Sequence, residues 1–149
     1  MILLLLASPA LALAPSSAGT RGEVVVARGD DGATPAGGAL VEGELPVTDH
    51  ARVGVELGFH LGGGGSSTAL ILPEVGWYFN TPWRRGPAVA GVAALGAQLS
   101  DQPGPAAAAG VRLDLGLNDR WGLRVQSDVL FDLTEGPVAV RLGVGTQRI

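Results

Sequence analysis

Arg52-Val53-Gly54-Val55-Glu56-Leu57-Gly58-Phe59-His60-Leu61 changes character at every step. Val53, Val55, Leu57, Phe59 and Leu61 fall on one side; Arg52, Gly54, Glu56, Gly58 and His60 fall on the other. Successive side chains of an extended backbone point to opposite faces, so this period of two specifies a strand with one apolar and one polar face. A helical period would mix the two sets.

The pattern recurs along the chain. Val111, Leu113, Leu115 and Leu117 oppose Gly110, Arg112, Asp114, Gly116 and Asn118. Leu123, Val125, Val129 and Phe131 oppose Gly122, Arg124, Gln126 and Asp128, and Val138, Val140, Leu142 and Val144 oppose Arg141, Gly143, Gly145 and Gln147. Glu42 and Glu44 oppose Val41 and Leu45, and Glu74 opposes Val75 and Trp77. Clusters of Gly, Pro, Asn, Asp and Ser separate these stretches, predicting strands over 21–28, 39–47, 51–61, 69–80, 88–98, 107–117, 121–131 and 137–147. Ala88 to Gln98 is rich in Ala and Gly; a helix is the rival there, but Gly91, Gly96, Pro87 and Pro103 count against it. Pro46 to His50 and Asn118-Asp119-Arg120 read as tight connections. Gly29 to Gly38, Gly62 to Thr68, Ser100 to Pro105 and Asp132 to Pro137 read as longer loops.

The 149 residues suffice for one domain. There is no Cys, which excludes disulfides and thiolate metal sites. All ten basic residues are Arg, whose planar five-donor fork suits buried ion pairs. A net charge of −4 without a basic run argues against nucleic acid as a partner. No apolar run reaches the roughly 18 residues of a spanning helix. Met1 to Leu6 is apolar, and Ala12 and Ala14 form an A-x-A pair within Ala7 to Ala14, predicting an export signal over residues 1–18 that lacks the usual basic start. Cleavage is expected after Ala14 or Ala18, with a barrel domain over 19–149.

Alternation alone leaves two barrels open. A soluble one turns its apolar face inward; a membrane one turns it outward. Glycines at 54, 58, 76, 110, 116, 122, 143 and 145 share the charged face, where they gain nothing in water but make room inside a narrow lumen. That face also carries both signs of charge, as paired groups in a lumen would. If strands alternate in direction, Trp77, Tyr78, Phe79, Trp83 and Trp121 fall at one end and Phe59 and Phe131 at the other, like two interfacial girdles. We therefore expect an all-β fold: an antiparallel eight-stranded up-and-down transmembrane β-barrel. Its expected lumenal charge network is Glu42, Glu44, Arg52, Glu56, Glu74, Arg112, Asp114, Arg124, Asp128 and Arg141. An even strand number lets such a sheet close without an exposed edge.

The phrase Val41-Glu42-Gly43-Glu44-Leu45-Pro46-Val47-Thr48-Asp49-His50-Ala51-Arg52-Val53-Gly54-Val55-Glu56-Leu57-Gly58-Phe59 resembles the strand–turn–strand unit of the small OmpA/OmpX-like outer-membrane barrels. The resemblance extends over about residues 20–149. It implies a bacterial outer-membrane location, contact with outer-membrane lipids and the barrel-assembly machinery, and a monomer with a structural or surface-contact role and no large pore. Where such barrels usually finish on an aromatic residue, this sequence ends on Ile149.

Chemistry-bearing motifs are sparse. Gly62-Gly63-Gly64-Gly65-Ser66-Ser67-Thr68 lacks the Lys and following helix of a phosphate loop. His60 and Ser66 beside a lumenal Glu invite comparison with outer-membrane lipid A deacylases, but no pattern positions Ser66 against a base. His50 and His60 are too isolated for a metal site, and Asp30-Asp31 reads as a solvated loop. Arg28-Gly29-Asp30 spells an adhesion tripeptide, and Glu42 and Glu44 share a face without a sugar cleft. No cofactor, metal or catalytic set is expected. The rival readings are a soluble exported lipocalin-like barrel holding a small apolar ligand and, below it, a lipid-modifying barrel enzyme.

Overall fold

The computed structural model describes residues 16–29, 32–62, 66–80, 86–134 and 136–148. The chain folds into β1 (Ser17–Gly29), β2 (Gly32–Pro46), β3 (Ala51–Gly62), β4 (Ser67–Tyr78), β5 (Pro87–Leu99), β6 (Gly104–Gly116), β7 (Trp121–Asp132) and β8 (Gly136–Arg148). Each strand pairs antiparallel with its sequence neighbour, and β1 pairs with β8 to close the barrel. Closure leaves no strand edge unpaired.

Ser17 of β1 and Arg148 of β8 lie at one end, the terminal end, with the turns 47–50 and 117–120; Gly29 of β1, Gly62 of β3, the turn 100–103 and Gly136 of β8 lie at the other. Two tight turns are built by local side-chain acceptors. Thr48 Oγ1 accepts from the backbone N–H of His50 (3.2 Å) and Ala51 (2.8 Å). Asn118 Oδ1 accepts from those of Arg120 (2.9 Å) and Trp121 (3.0 Å).

One expectation changes. The Gly29–Gly38 segment is not a long loop: β2 begins at Gly32, whose φ of 119° favours glycine, and Ala33 to Gly38 pair with Glu23 to Arg28. Small residues there hide the alternation without preventing the ladder. Ala88–Gln98 lies in the strand β5, as expected over the rival helix, its Ala88, Ala90 and Val92 buried while Val89 and Leu95 face out. Near Pro73, which has no N–H to donate, the β4–β5 pairing skips from Ile71–Ala97 to Glu74–Ala94.

The faces are inverted relative to a soluble barrel. Val53, Val55, Leu57, Phe59, Val111, Leu142 and Val144 are exposed on the outside. Arg21, Arg112, Arg124 and Arg141 are among the most completely buried side chains. Among the described residues no helix is long and apolar enough to cross a membrane.

Candidate functional site

The lumen is filled by two layers of different chemistry. Toward the terminal end lies a charged layer, and toward the opposite end an apolar one. All ten sequence-identified charges, from Glu42 to Arg141, are buried on the inner face.

Arg124 of β7 is the centre of the charged layer. Its guanidinium donates to Asp114 (2.8 Å and 3.0 Å), Glu42 (2.8 Å), Glu44 (3.0 Å) and Gln147 (2.7 Å). Arg112 of β6 donates to Glu44, Glu74 and Gln126, bridging β2, β4 and β7 across the lumen. Arg52 donates to Glu44 at 3.3 Å and to Ser17 Oγ at 2.8 Å. Higher in the barrel, Arg141 donates to Asp128 (2.6 Å) and Glu56 (2.5 Å). Isolated charges in so dry a space would be prohibitive; each is retained because it is paired and hydrogen-bonded on several sides.

Residues outside the expected set complete this layer. Arg21 of β1 donates to Gln126 (2.6 Å), Glu56 (2.9 Å) and Glu42 (3.3 Å). His60 Nε2 donates to Glu23 Oε2 at 2.7 Å, the carboxylate being able only to accept. The signal for Arg21 and Glu23 was their period-two spacing, obscured by the run Val24-Val25-Val26.

Glycines sit beside the longest of these side chains. Gly145 pairs in register with Arg21 and with Arg124, and Gly54 with Glu44 and with Glu74. A Cβ on Gly143 would stand 2.5 Å from Arg21 Cδ. The inner glycines are therefore spaces through which arginines cross to other strands.

The aromatic set divides differently from expectation. Trp77, Phe79 and Trp121 are exposed at the terminal end, and Phe59 is exposed near the other. Phe131 is half-buried near that same end. Tyr78, expected in the girdle, is instead fully buried in the lumen, packed on Ala88 and Ala90, with its hydroxyl donating to Asp114 at 2.5 Å. The reason is the pleat: between outward Trp77 and outward Phe79, an extended residue must face inward. Trp83 lies outside the described residues, as do Asp30 and Asp31. His50 stacks on Trp77 (ring centroids 6.1 Å apart) at the terminal end, far from His60.

The second layer is apolar. Val25, Leu70, Leu72, Ala106, Ala108, Leu130 and Ala139 pack together inside the end away from the termini. Beyond them the lumen opens into a cup of about 210 Å³. The charged layer beneath leaves no lipocalin-like apolar calyx running through the barrel.

No family model and no curated protein sequence matches the chain. Among solved structures it is similar to Neisserial surface protein A (NspA), with a TM-score of 0.72 at 10% identity over 89% of this chain and 96% of that one. It is also similar to the N-terminal β-barrel domain of Pseudomonas aeruginosa OprF, with a TM-score of 0.62 at 18% identity over 88% of this chain and 96% of that domain. The chain has the fold of these small eight-stranded barrels.

Proposed function

We propose that the protein spans the bacterial outer membrane as a monomeric, non-conducting barrel that serves as a structural element or presents its loops at the cell surface. The observation that carries this reading is the inversion of faces: Val, Leu and Phe outward, five buried arginines with their carboxylates inward. Water would penalise such an exterior, while lipid accepts it, and closed barrels leave no backbone group unpaired in hydrocarbon. Exposed Trp77, Phe79 and Trp121 at one rim suit the headgroup region. On this reading the termini are periplasmic, and the barrel reaches the membrane through an export signal and the outer-membrane assembly machinery. The similarity in fold to NspA and OprF supports it.

The filled lumen supports the absence of a pore. An eight-stranded barrel has an interior just wide enough for side chains, and here arginines span it from strand to strand. No catalytic step belongs to the proposal. Cofactors and metals have no part in it.

Two measurements on the full-length exported protein test it. Fractionation should place it with outer membranes as a band whose gel migration shifts on heating. Reconstitution in planar bilayers should give no conductance of porin magnitude. Recovery as a detergent-free soluble protein would overturn the location, and large stable channels would overturn the closed lumen.

A further inference from the structure

The cup at the end away from the termini differs from the rest of the lumen. Val25, Leu130 and Ala139 form its buried apolar floor, and Ala27, Ala36 and Val138 its wall. Four polar side chains interrupt this lining: His60, Ser66, Thr68 and Gln98. The hydrogen bonding of His60, Thr68 and Gln98 is incomplete. His60 uses Nε2 on Glu23, which leaves Nδ1 turned to no described partner. Gln98 donates its amide to Asp132 at 2.6 Å, leaving its carbonyl oxygen to accept. The Thr68 hydroxyl is engaged by no described residue.

Size, polarity and charge together restrict what fits. An apolar cavity of about 150 Å³ holds a benzene ring, so about 210 Å³ holds one substituted ring. The unused acceptors call for a ligand that donates a hydrogen bond. The groups behind them are carboxylates, Asp132 at Gln98 and Glu23 at His60, the latter already ion-paired with Arg21 (3.1 Å), and no arginine is among the described lining residues. An anionic head would find no arginine there to pair with. We infer that the cup is a binding site for a small neutral single-ring amphiphile with one hydroxyl donor, a phenol by chemical class. Its apolar ring lies on Val25, Leu130 and Ala139, and its hydroxyl donates to one of the free acceptors. This goes beyond a scaffolding or surface role and does not depend on it, because the cup is a property of the folded barrel.

The test uses the full mature barrel refolded in lipid nanodiscs, with p-cresol as the probe and 4-methylbenzoate as its anionic counterpart of the same shape. Methyl resonances of Val25, Leu130 and Ala139 report occupancy, and empty nanodiscs correct for partitioning into lipid. Saturable shifts with p-cresol, at least roughly tenfold weaker with 4-methylbenzoate at neutral pH, are expected. Ala36→Leu and, separately, Ala27→Leu fill the wall of the cup and should abolish the p-cresol shifts in protein that retains its heat-modifiable migration. The two variants guard against either one failing to fold. Absence of saturable shifts, equal binding of the two probes, or undiminished binding in both filled variants would overturn the inference.

Discussion

Gly38 of β2 and His60 of β3 lie directly opposite one another, and a Cβ added to Gly38 would stand 2.2 Å from His60 Cδ2. Gly38 is also the partner of Glu23 on β1, so it occupies the gap between the two residues that form the His60–Glu23 hydrogen bond. The imidazole crosses the bare backbone of Gly38 to reach the carboxylate. Gly38→Ala must therefore push the ring away and leave Glu23 short of a partner. We expect a loss of about 1–3 kcal/mol in urea unfolding from lipid vesicles. Gly37→Ala is the control: it faces outward with nothing within 4 Å of its added Cβ, and should change stability by less than about 0.5 kcal/mol. Equal effects at the two positions would remove the space-making role of Gly38.

Arg124 of β7 joins carboxylates that belong to two other strands: Glu42 and Glu44 on β2, and Asp114 on β6. Removing it leaves those carboxylates facing one another in a dry lumen. Arg124→Met should cost about 3–5 kcal/mol, because a broken buried pair strands its partners. Adding Asp114→Asn should recover part of this loss by deleting one stranded charge. If the double variant is as unstable as the sum of the singles, the coupling through Arg124 is absent.

Much of the barrel was legible because its strands alternate strictly where they carry charge. Arg52 to Leu61, Val111 to Leu117 and Val140 to Val144 show their faces in sequence, and the structure turns each as the pattern requires; Val138, expected outward with them, packs on the lumenal cluster instead, beside the register shift at Leu130 and Phe131. Legibility failed where the inner residues are small or the outer ones are continuous with them. Gly32 to Gly38 looks like a loop because nothing on it is large, yet pairing with β1 supplies what propensity does not. Val24-Val25-Val26 conceals that Val25 joins the apolar lumen while its neighbours face out. Tyr78 was misplaced by chemical type: its neighbours Trp77 and Phe79 invited a common role, but the pleat separates them. The division of the lumen into charged and apolar layers was not legible at all. It depends on the stagger of strands around the barrel, which brings Val25, Leu72, Ala108 and Leu130 to one level, and no local pattern encodes that.

The first residues of β1 bear on where the export signal is removed. Ser17 Oγ accepts from Arg52 (2.8 Å) and donates to Glu44 (3.2 Å), and Ala18 pairs with both Gly43 and Arg148. Cleavage after Ala18 would discard Ser17 and the seam pair that Ala18 makes with β8. Cleavage after Ala14 keeps all of these. We expect intact-mass analysis of the exported protein to show a chain beginning at Pro15. A mature chain beginning at Gly19 would mean that these contacts are dispensable for the barrel.

Leu57 and Leu117 distinguish a lipid-facing exterior from a solvated one by depth. Leu57 sits midway along β3 on the outer face, between outward Val41 of β2 and Ile71 of β4, whereas Leu117 lies just past β6 at the rim of the terminal end. Both are exposed, so neither substitution disturbs packing in the lumen. In a bilayer, Leu57→Arg places a guanidinium near the midplane and should cost about 2–4 kcal/mol, while Leu117→Arg can reach the headgroups and should cost about 0–1 kcal/mol. On a water-soluble barrel both would fall within about 0.5 kcal/mol of the parent, since an arginine on a solvated strand is unremarkable. Unfolding from vesicles measures the difference directly. The depth dependence is the decisive quantity, because a merely local defect at Leu57 would persist in detergent-free water, and a lipid penalty cannot.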